Sequence, residues 1–192
     1  MNLSHLPTGL VVREYTPDDK EACLDIYRSN EDLLPPDLIE AYADWLDIGT
    51  SYMLVIEQGG EVLACGGLEI DGSKNSNQIN CGLVRRSHHR KGLGTLLNLT
   101  RLALVPQDHD PAFVGMETSV SNEPFFNKFG FERLNKPVSR YAGASYFLDM
   151  GMWLPASQKQ ELLTLLKSLP VDFRVDFEES MAGAAEGEEE KE

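Results

Sequence analysis

The sequence predicts one mixed α/β domain, built on a sheet with antiparallel meanders and a single parallel crossover. Three observations predict it. A chain of 192 residues with 42% apolar content is long enough for one sizeable core and too short for two. Strand-like and helical runs alternate in the order β-α-α-β-β-β-α-β-α-β-β. Only one unit, the strand, helix and strand from Gln78 to Val120, demands a parallel connection.

Each element follows from local chemistry. "GLVVREY" reads as a short strand and "TPDDKEACLDIYRSN" as a helix, with Thr16 as N-cap, Pro17 in the first turn, and Asp18 and Asp19 at the positive end of the dipole. "PPDLIEAYADWLDIG" is a second helix, opened by Pro36 and closed by Gly49. "SYMLVIE" and "EVLACGGLEI" are strands joined by Gln58-Gly59-Gly60, a hairpin signal, and "QINCGLV" follows the polar loop "DGSKNSN" to complete a meander. Leu93, Leu96, Leu97, Thr100 and Leu104 recur at helical spacing until Pro106. "AFVGMETSV" is a buried strand, "NEPFFNKFG" a short helix capped by Gly130, and "ASYFLDMGMWL" a late strand. "ASQKQELLTLLKSL" is a further amphipathic helix whose leucines pack on the domain or on a second subunit, which leaves a homodimer open. The organisation is thus a domain over 1–154, a helical extension over 155–177 and an acidic tail over 178–192, too polar to order itself.

Charge narrows the function. The formal net charge is -14, of which residues 176–192, with eight carboxylates and one lysine, supply -7. So acidic a body argues against a nucleic-acid-binding protein, which needs a broad basic face. Cys23, Cys65 and Cys81 are odd in number and form no Cys-x-x-Cys pair, as suits a reducing cytosol. The start lacks a secretory pattern, and no apolar run reaches the ~20 residues of a membrane span, so the expected location is cytoplasmic.

Against this background "RRSHHRKGLG", residues 85–94, stands out. A strand ending at Val84, a basic turn, Gly92 and Gly94, and then a helix aim free backbone N–H groups and a helix dipole at one spot, which makes an anion site. Glycines there let a phosphate approach the backbone. Arg90, Lys91 and one of Arg85 or Arg86 are candidates for charge-assisted contacts. The triphosphate-binding pattern Gly-x-x-x-x-Gly-Lys-Ser/Thr is absent, and so is the third glycine of the dinucleotide fingerprint. No cluster has metal-ligand spacing.

The run from Gln78 to Leu97, followed by "ETSVSNEPFFNKFGFE", resembles the GNAT superfamily of acyl-CoA-dependent N-acyltransferases through Ile79, Val84, Gly92, Gly94, Asn122, Phe125, Gly130 and Phe131. The opening "LVVREYTPDDKEACLDIY" is also similar to that family's first strand and helix. The resemblance implies a mostly antiparallel GNAT-type sheet with a parallel central pair and helices on both faces. It also implies acetyl-CoA as cosubstrate: the backbone of Leu83 and Val84 on the pantetheine, the turn His89, Arg90, Lys91, Gly92, Leu93, Gly94 and Thr95 at the pyrophosphate, and Asn122 near the pantetheine or thioester. Three positions depart from the pattern. His89 replaces the Gln or Arg that begins the phosphate motif, Gln78 stands where a general-base Glu is frequent, and Phe126 replaces a Tyr that serves as general acid.

Acetylating an amine requires its neutral form, yet a lysine-like amine has a pKa of about 10.4. With Gln78 unable to take a proton, the candidate bases are Glu69 and Glu117, acting directly or through a water that Gln78 or Asn80 positions. Each reads equally well as a strand-end carboxylate with a structural role. A thiolate is a fair leaving group, so Tyr141, Tyr146 and Ser121 are only weak proton donors to it. Trp45 and Trp153 read as packing residues. The expected activity is N-acetylation of a primary amine on a small molecule or peptide, with Glu31, Asp32, Asp37 and Glu40 pointing to a cationic one. The alternative is an acyl-CoA-binding sensor or interaction module without turnover.

Overall fold

The computed structural model describes residues 3, 5–72, 76–139 and 146–177. Tyr141 and the acidic tail lie outside them. The first strand, β1 (Leu10–Glu14), is followed by a 3-10 turn at Pro17–Asp19 and by α1 (Lys20–Arg28). Asp19 Oδ2 accepts from both the backbone N–H and the hydroxyl of Thr16, so the carboxylate caps this entry as strongly as the threonine does. A second helix, α2 (Ile39–Ile48), begins after a 3-10 turn at Pro36–Leu38 and ends at Gly49. The meander is β2 (Tyr52–Gln58), β3 (Glu61–Asp71) and β4 (Ser76–Val84), and both residues of its first turn, Gly59 and Gly60, have positive φ, as a tight hairpin requires.

Next come α3 (Leu93–Ala103), β5 (Ala112–Ser119), α4 (Glu123–Phe126), β6 (Glu132–Arg133), β7 (Val138–Ser139) and β8 (Tyr146–Leu154). The predicted helix over 122–130 is thus a short one flanked by 3-10 turns. The last described elements are α5 (Ala156–Lys167) and β9 (Asp172–Arg174). Among the described residues nine strands form one sheet, in the order β6-β8-β5-β4-β3-β2-β1-β9, with β7 also on β8.

Two strand pairs are parallel where the sequence predicts one. The expected pair is β4 with β5; the second is β9 with β1, joined by three residues at the sheet edge. "DFR" is too short and too polar to read as a strand, and only the edge of β1 makes it one.

Helices lie on both faces. Leu93, Leu96, Leu97 and Leu102 of α3 pack with Leu162, Leu163 and Leu166 of α5 in the main core, over Leu54, Ile56, Leu63 and Leu68 of the sheet. Cys23 and Ile26 of α1 and Tyr42 and Leu46 of α2 form a second cluster with Val55 and Cys65 on the opposite face. Leu162, Leu163 and Leu166 of α5 are therefore packed within this chain, while Leu165 is exposed. Lys159 pins α5 from the same side: its buried ammonium donates to the carbonyls of Pro106, Gln107 and His109 at 2.6, 3.3 and 2.7 Å.

The feature that makes a site is the shortness of the central parallel ladder. Only Ser76, Asn77 and Gln78 pair with Phe113, Val114 and Gly115. Beyond Gln78 and Gly115 the two strands share no rungs, and a cavity of about 1010 Å³ lies between them.

Candidate functional site

The wall of this cavity is assembled from Ile79 and Cys81–Val84 of β4, Met116–Ser119 of β5, the turn into α3, the segment Val120–Asn122 with Phe125 and Phe126, and the loop after α1. Backbone geometry explains the turn. Arg90 has φ 64° and Gly92 φ 86°, left-handed conformations that bend successive N–H groups into a concavity. The α3 ladder opens with the Leu96 N–H on the Gly92 carbonyl at 2.9 Å, so the N–H groups of Leu93, Gly94 and Thr95 precede it and have no partner within the helix. All three residues line the cavity.

Only part of the basic stretch faces this concavity. Arg85 bends back on the β3 hairpin, with Nε and Nη2 donating to the Val62 carbonyl at 3.3 and 3.2 Å and Nε 3.3 Å from Glu61. Arg86 pairs with Asp32 at 2.7 Å. Neither arginine lines the cavity, nor does Lys91, whereas Arg90, His88 and His89 do. His89, the departure from the phosphate motif, has a structural partner: Nε2–H donates to the Val84 carbonyl at 2.9 Å and ties the turn to the end of β4. Asn30, buried at the end of α1, donates to the same carbonyl at 3.0 Å. Leu6 lines the cavity next to the turn, and a β-carbon on Gly92 would meet its Cδ2 at 3.1 Å.

The candidate bases share the sheet face that carries α1 and α2. Register sets Glu69 opposite Gln78, and Gln78 opposite Gly115, in one row where β4 and β5 part. Gln78 lies over Gly115, its Nε2 3.0 Å from where a β-carbon would be. Two residues further along β5, Glu117 is exposed on the same face and lines the cavity; Glu69, at the β3 end of the row, is exposed and outside the cavity wall. Asn122 lines the cavity and donates from Nδ2 to the Thr118 hydroxyl at 3.3 Å. Ser121 and Tyr146 line it too, as does Phe126, an aromatic ring without a hydroxyl. Of the carboxylates read as attracting a cation, Asp32 is already neutralised by Arg86. Trp153 differs from its expected role: it is 65% exposed, in edge contact with Phe113.

Among the wall residues that the sequence did not mark as site residues are Cys81 and Arg101. Cys81 sits at φ 47° in a bulge of β4, exposed at the cavity, and partial desolvation pushes its thiol above the usual range. Arg101, 2% exposed, reaches the cavity from α3. Its signal was present, since Leu93, Leu97 and Arg101 share the core-facing stripe of α3 at four-residue spacing, where a cation is out of place. Among the described residues no group of three His, Cys, Asp or Glu side chains could hold a metal, and no helix is long and apolar enough to cross a membrane.

Residues 20–131 match the model of the acetyltransferase (GNAT) family. No curated protein matches the chain by sequence. Among solved structures, the chain is similar to the ribosomal-protein-S18-alanine N-acetyltransferase of Escherichia coli, with a TM-score of 0.61 at 15% identity over 77% of this chain and 94% of that one. The ribosomal-protein-alanine N-acetyltransferase of Brucella melitensis gives 0.61 at 18%, over 75% and 99%. Ard1 of Thermoplasma volcanium gives 0.59 at 20%, over 76% and 98%. At these identities the likeness speaks for the fold.

Proposed function

The chain belongs to the acetyltransferase (GNAT) family, and from that premise we propose that it moves an acetyl group from acetyl-CoA to a primary amine of a small molecule or peptide. One observation carries this reading. The gap between β4 and β5 has an anion-cradling turn at its open end and the row of Glu69 and Gln78, with Glu117 beside it, where the strands part. A ligand with phosphates at one end and a thioester at the other fits that polarity. Its pyrophosphate meets the N–H groups of residues 90–95, assisted by Arg90, and its pantetheine runs beside Leu83 and Val84 as an added strand.

The reaction is direct transfer in a ternary complex. The amine nitrogen attacks the thioester carbonyl, the π pair moves to oxygen, and the C–S bond then breaks with the sulfur leaving as a thiolate. Glu117 or Glu69, directly or through a water beside Gln78, takes the proton that the amine must lose. The thiolate collects a proton from solvent or from Ser121 or Tyr146. The free cysteines agree with a reducing compartment.

Release of free thiol from acetyl-CoA only when an amine is added tests the reading. The outcome that overturns it is acetyl-CoA binding without thiol release across a broad panel of amines, amino acids and peptides. Gln78 and Phe126 favour that second reading, a binding module without turnover, because neither can exchange a proton.

A further inference from the structure

Arg101 is a buried cation in the wall of the proposed donor site. Among the described residues no carboxylate pairs with it, and its Nε–H has no partner at all. Burial pushes the guanidinium down, to about 9, which still leaves it charged at neutral pH. Holding such a charge away from water is costly, and a well-packed apolar side chain would fill the space without that cost.

The surroundings are fitted to the guanidinium. Register pairs Cys65 with Leu83 and Gly67 with Asn80, so Gly66 alone on β3 opposes Cys81 and Gly82 on β4. This is a β-bulge, which breaks the ladder locally. Arg101 Nη1 donates to the carbonyls of the pair that closes one side of the break, Asn80 at 3.2 Å and Gly67 at 3.4 Å, and Nη2 donates to Asn98 Oδ1 at 3.4 Å. Both bulge glycines leave the guanidinium room that a β-carbon would crowd. A β-carbon on Gly82 would lie 3.0 Å from Nη2, and one on Gly66 would lie 3.1 Å from Nη1.

The Asn80 carbonyl belongs to the same peptide unit as the Cys81 N–H. A cation at the oxygen draws density through the amide resonance and makes that N–H more positive. Cys81 and Gly82 line the cavity just beyond the point where β4 and β5 part, on the line a thioester would follow. An electropositive floor there opposes little charge in the bound thioester and a full oxyanion in the transition state, which is the condition for catalysis rather than mere binding.

We propose that Arg101 is a positioning residue for acyl transfer, holding the β4 bulge through the Asn80 carbonyl and polarising the Cys81 peptide beneath the thioester oxygen. The proposal rests on the acetyl-CoA reading above. Arg101 itself exchanges no proton; the amine's proton goes to the base and the electron pair of the broken C–S bond goes to sulfur.

The test compares wild type with Arg101→Met and Arg101→Lys by steady-state kinetics and by the ¹³C resonance of bound [1-¹³C]acetyl-CoA. Arg101→Met is expected to lower kcat by about 10- to 100-fold with the KM for acetyl-CoA unchanged, and Arg101→Lys to recover part of the loss. The carbonyl resonance is expected to move downfield on binding wild type, less on binding Arg101→Lys and least on binding Arg101→Met. A purely structural plug would not grade the carbonyl in this way. If Arg101→Met does not fold, Gly82→Ala, which keeps the charge but crowds both terminal nitrogens, is expected to reduce the downfield shift. Equal carbonyl shifts in wild type and in the folded variant overturn the proposal, whether or not turnover is seen. So does a wild-type preference for succinyl-CoA over acetyl-CoA that Arg101→Met abolishes, which would put the guanidinium on the acyl tail. Failure of wild type to bind acetyl-CoA at all would instead remove the coenzyme reading, and this inference with it.

Discussion

Arg86 Nη2 lies 2.7 Å from Asp32 Oδ2, a pair separated by 54 residues of sequence, and it fastens the loop after α1 to the turn before α3. The most basic stretch of the chain is thus partly spent on the protein's own acids. Arg86→Ala is expected to leave the acetyl-CoA dissociation constant unchanged and to cost less than about 1 kcal/mol of stability, both side chains being half exposed. Arg90→Ala, at the cavity, is expected to weaken binding roughly 10-fold, the scale of one charge-assisted contact. Calorimetric titration of the two variants checks the contrast.

The turn should discriminate by the size of side chain at Gly94. A β-carbon there would have only ordinary contacts, 3.7 Å to Phe125 and to Val84, so Gly94→Ala is expected to bind acetyl-CoA. Gly94→Glu places a carboxylate at the proposed phosphate cradle and is expected to abolish the rise in Tm that acetyl-CoA confers. An undiminished rise in Gly94→Glu would remove the cradle from this turn.

The two candidate bases separate by pH-rate profile. Either Glu69→Gln or Glu117→Gln is expected to eliminate the ascending limb of kcat/KM against pH. If both variants keep it, the base lies elsewhere.

Cys81 is the cysteine at the cavity, and Cys23 and Cys65 are buried in the second core cluster. Desolvation at the cavity pushes the Cys81 thiol above the usual range although the residue is exposed, so the reactive thiolate is scarce near neutral pH. Iodoacetamide is expected to label Cys81 slowly and faster at higher pH, with protection by acetyl-CoA, and to label the other two only after denaturation. Peptide mapping by mass spectrometry reads all three sites.

Asp19 links the first turn of the fold to acid stability. Burial pushes its carboxyl up, but hydrogen bonds from Arg13 at 2.7 and 2.8 Å, with those from Thr16, outweigh burial and hold it below the usual carboxylate range. A depressed folded-state pKa gives stability that is complete above the unfolded value, about 3.9, and is lost as pH falls through the folded one. Asp19→Asn is therefore expected to cost about 2 kcal/mol at pH 7 and much less at pH 3, by urea unfolding. An equal cost at both pH values would exclude the carboxylate's charge as the source.

Much of the site was legible because its signals are local. Two glycines before a leucine-striped helix announce exposed N–H groups at Leu93, Gly94 and Thr95 whatever surrounds them, and the Gly59-Gly60 turn dictates a tight hairpin in any fold. Neither the neutralisation of Asp32 nor the placement of Lys91 away from the cavity could be read in that way. Both depend on which loops meet in space.

Composition and periodicity alone determined a single mixed sheet, the helix beginning at the basic turn, and the N–H groups that precede its hydrogen-bond ladder, because helix, strand and turn preferences act over a few neighbouring positions. Tertiary structure decided which cations remain for a ligand, where β4 and β5 part, why β9 is a strand, and that Arg101 lies under a bulge made by Gly66 and Gly82. Those outcomes come from pairings between distant segments, and their energies exist only once the chain has brought the partners together.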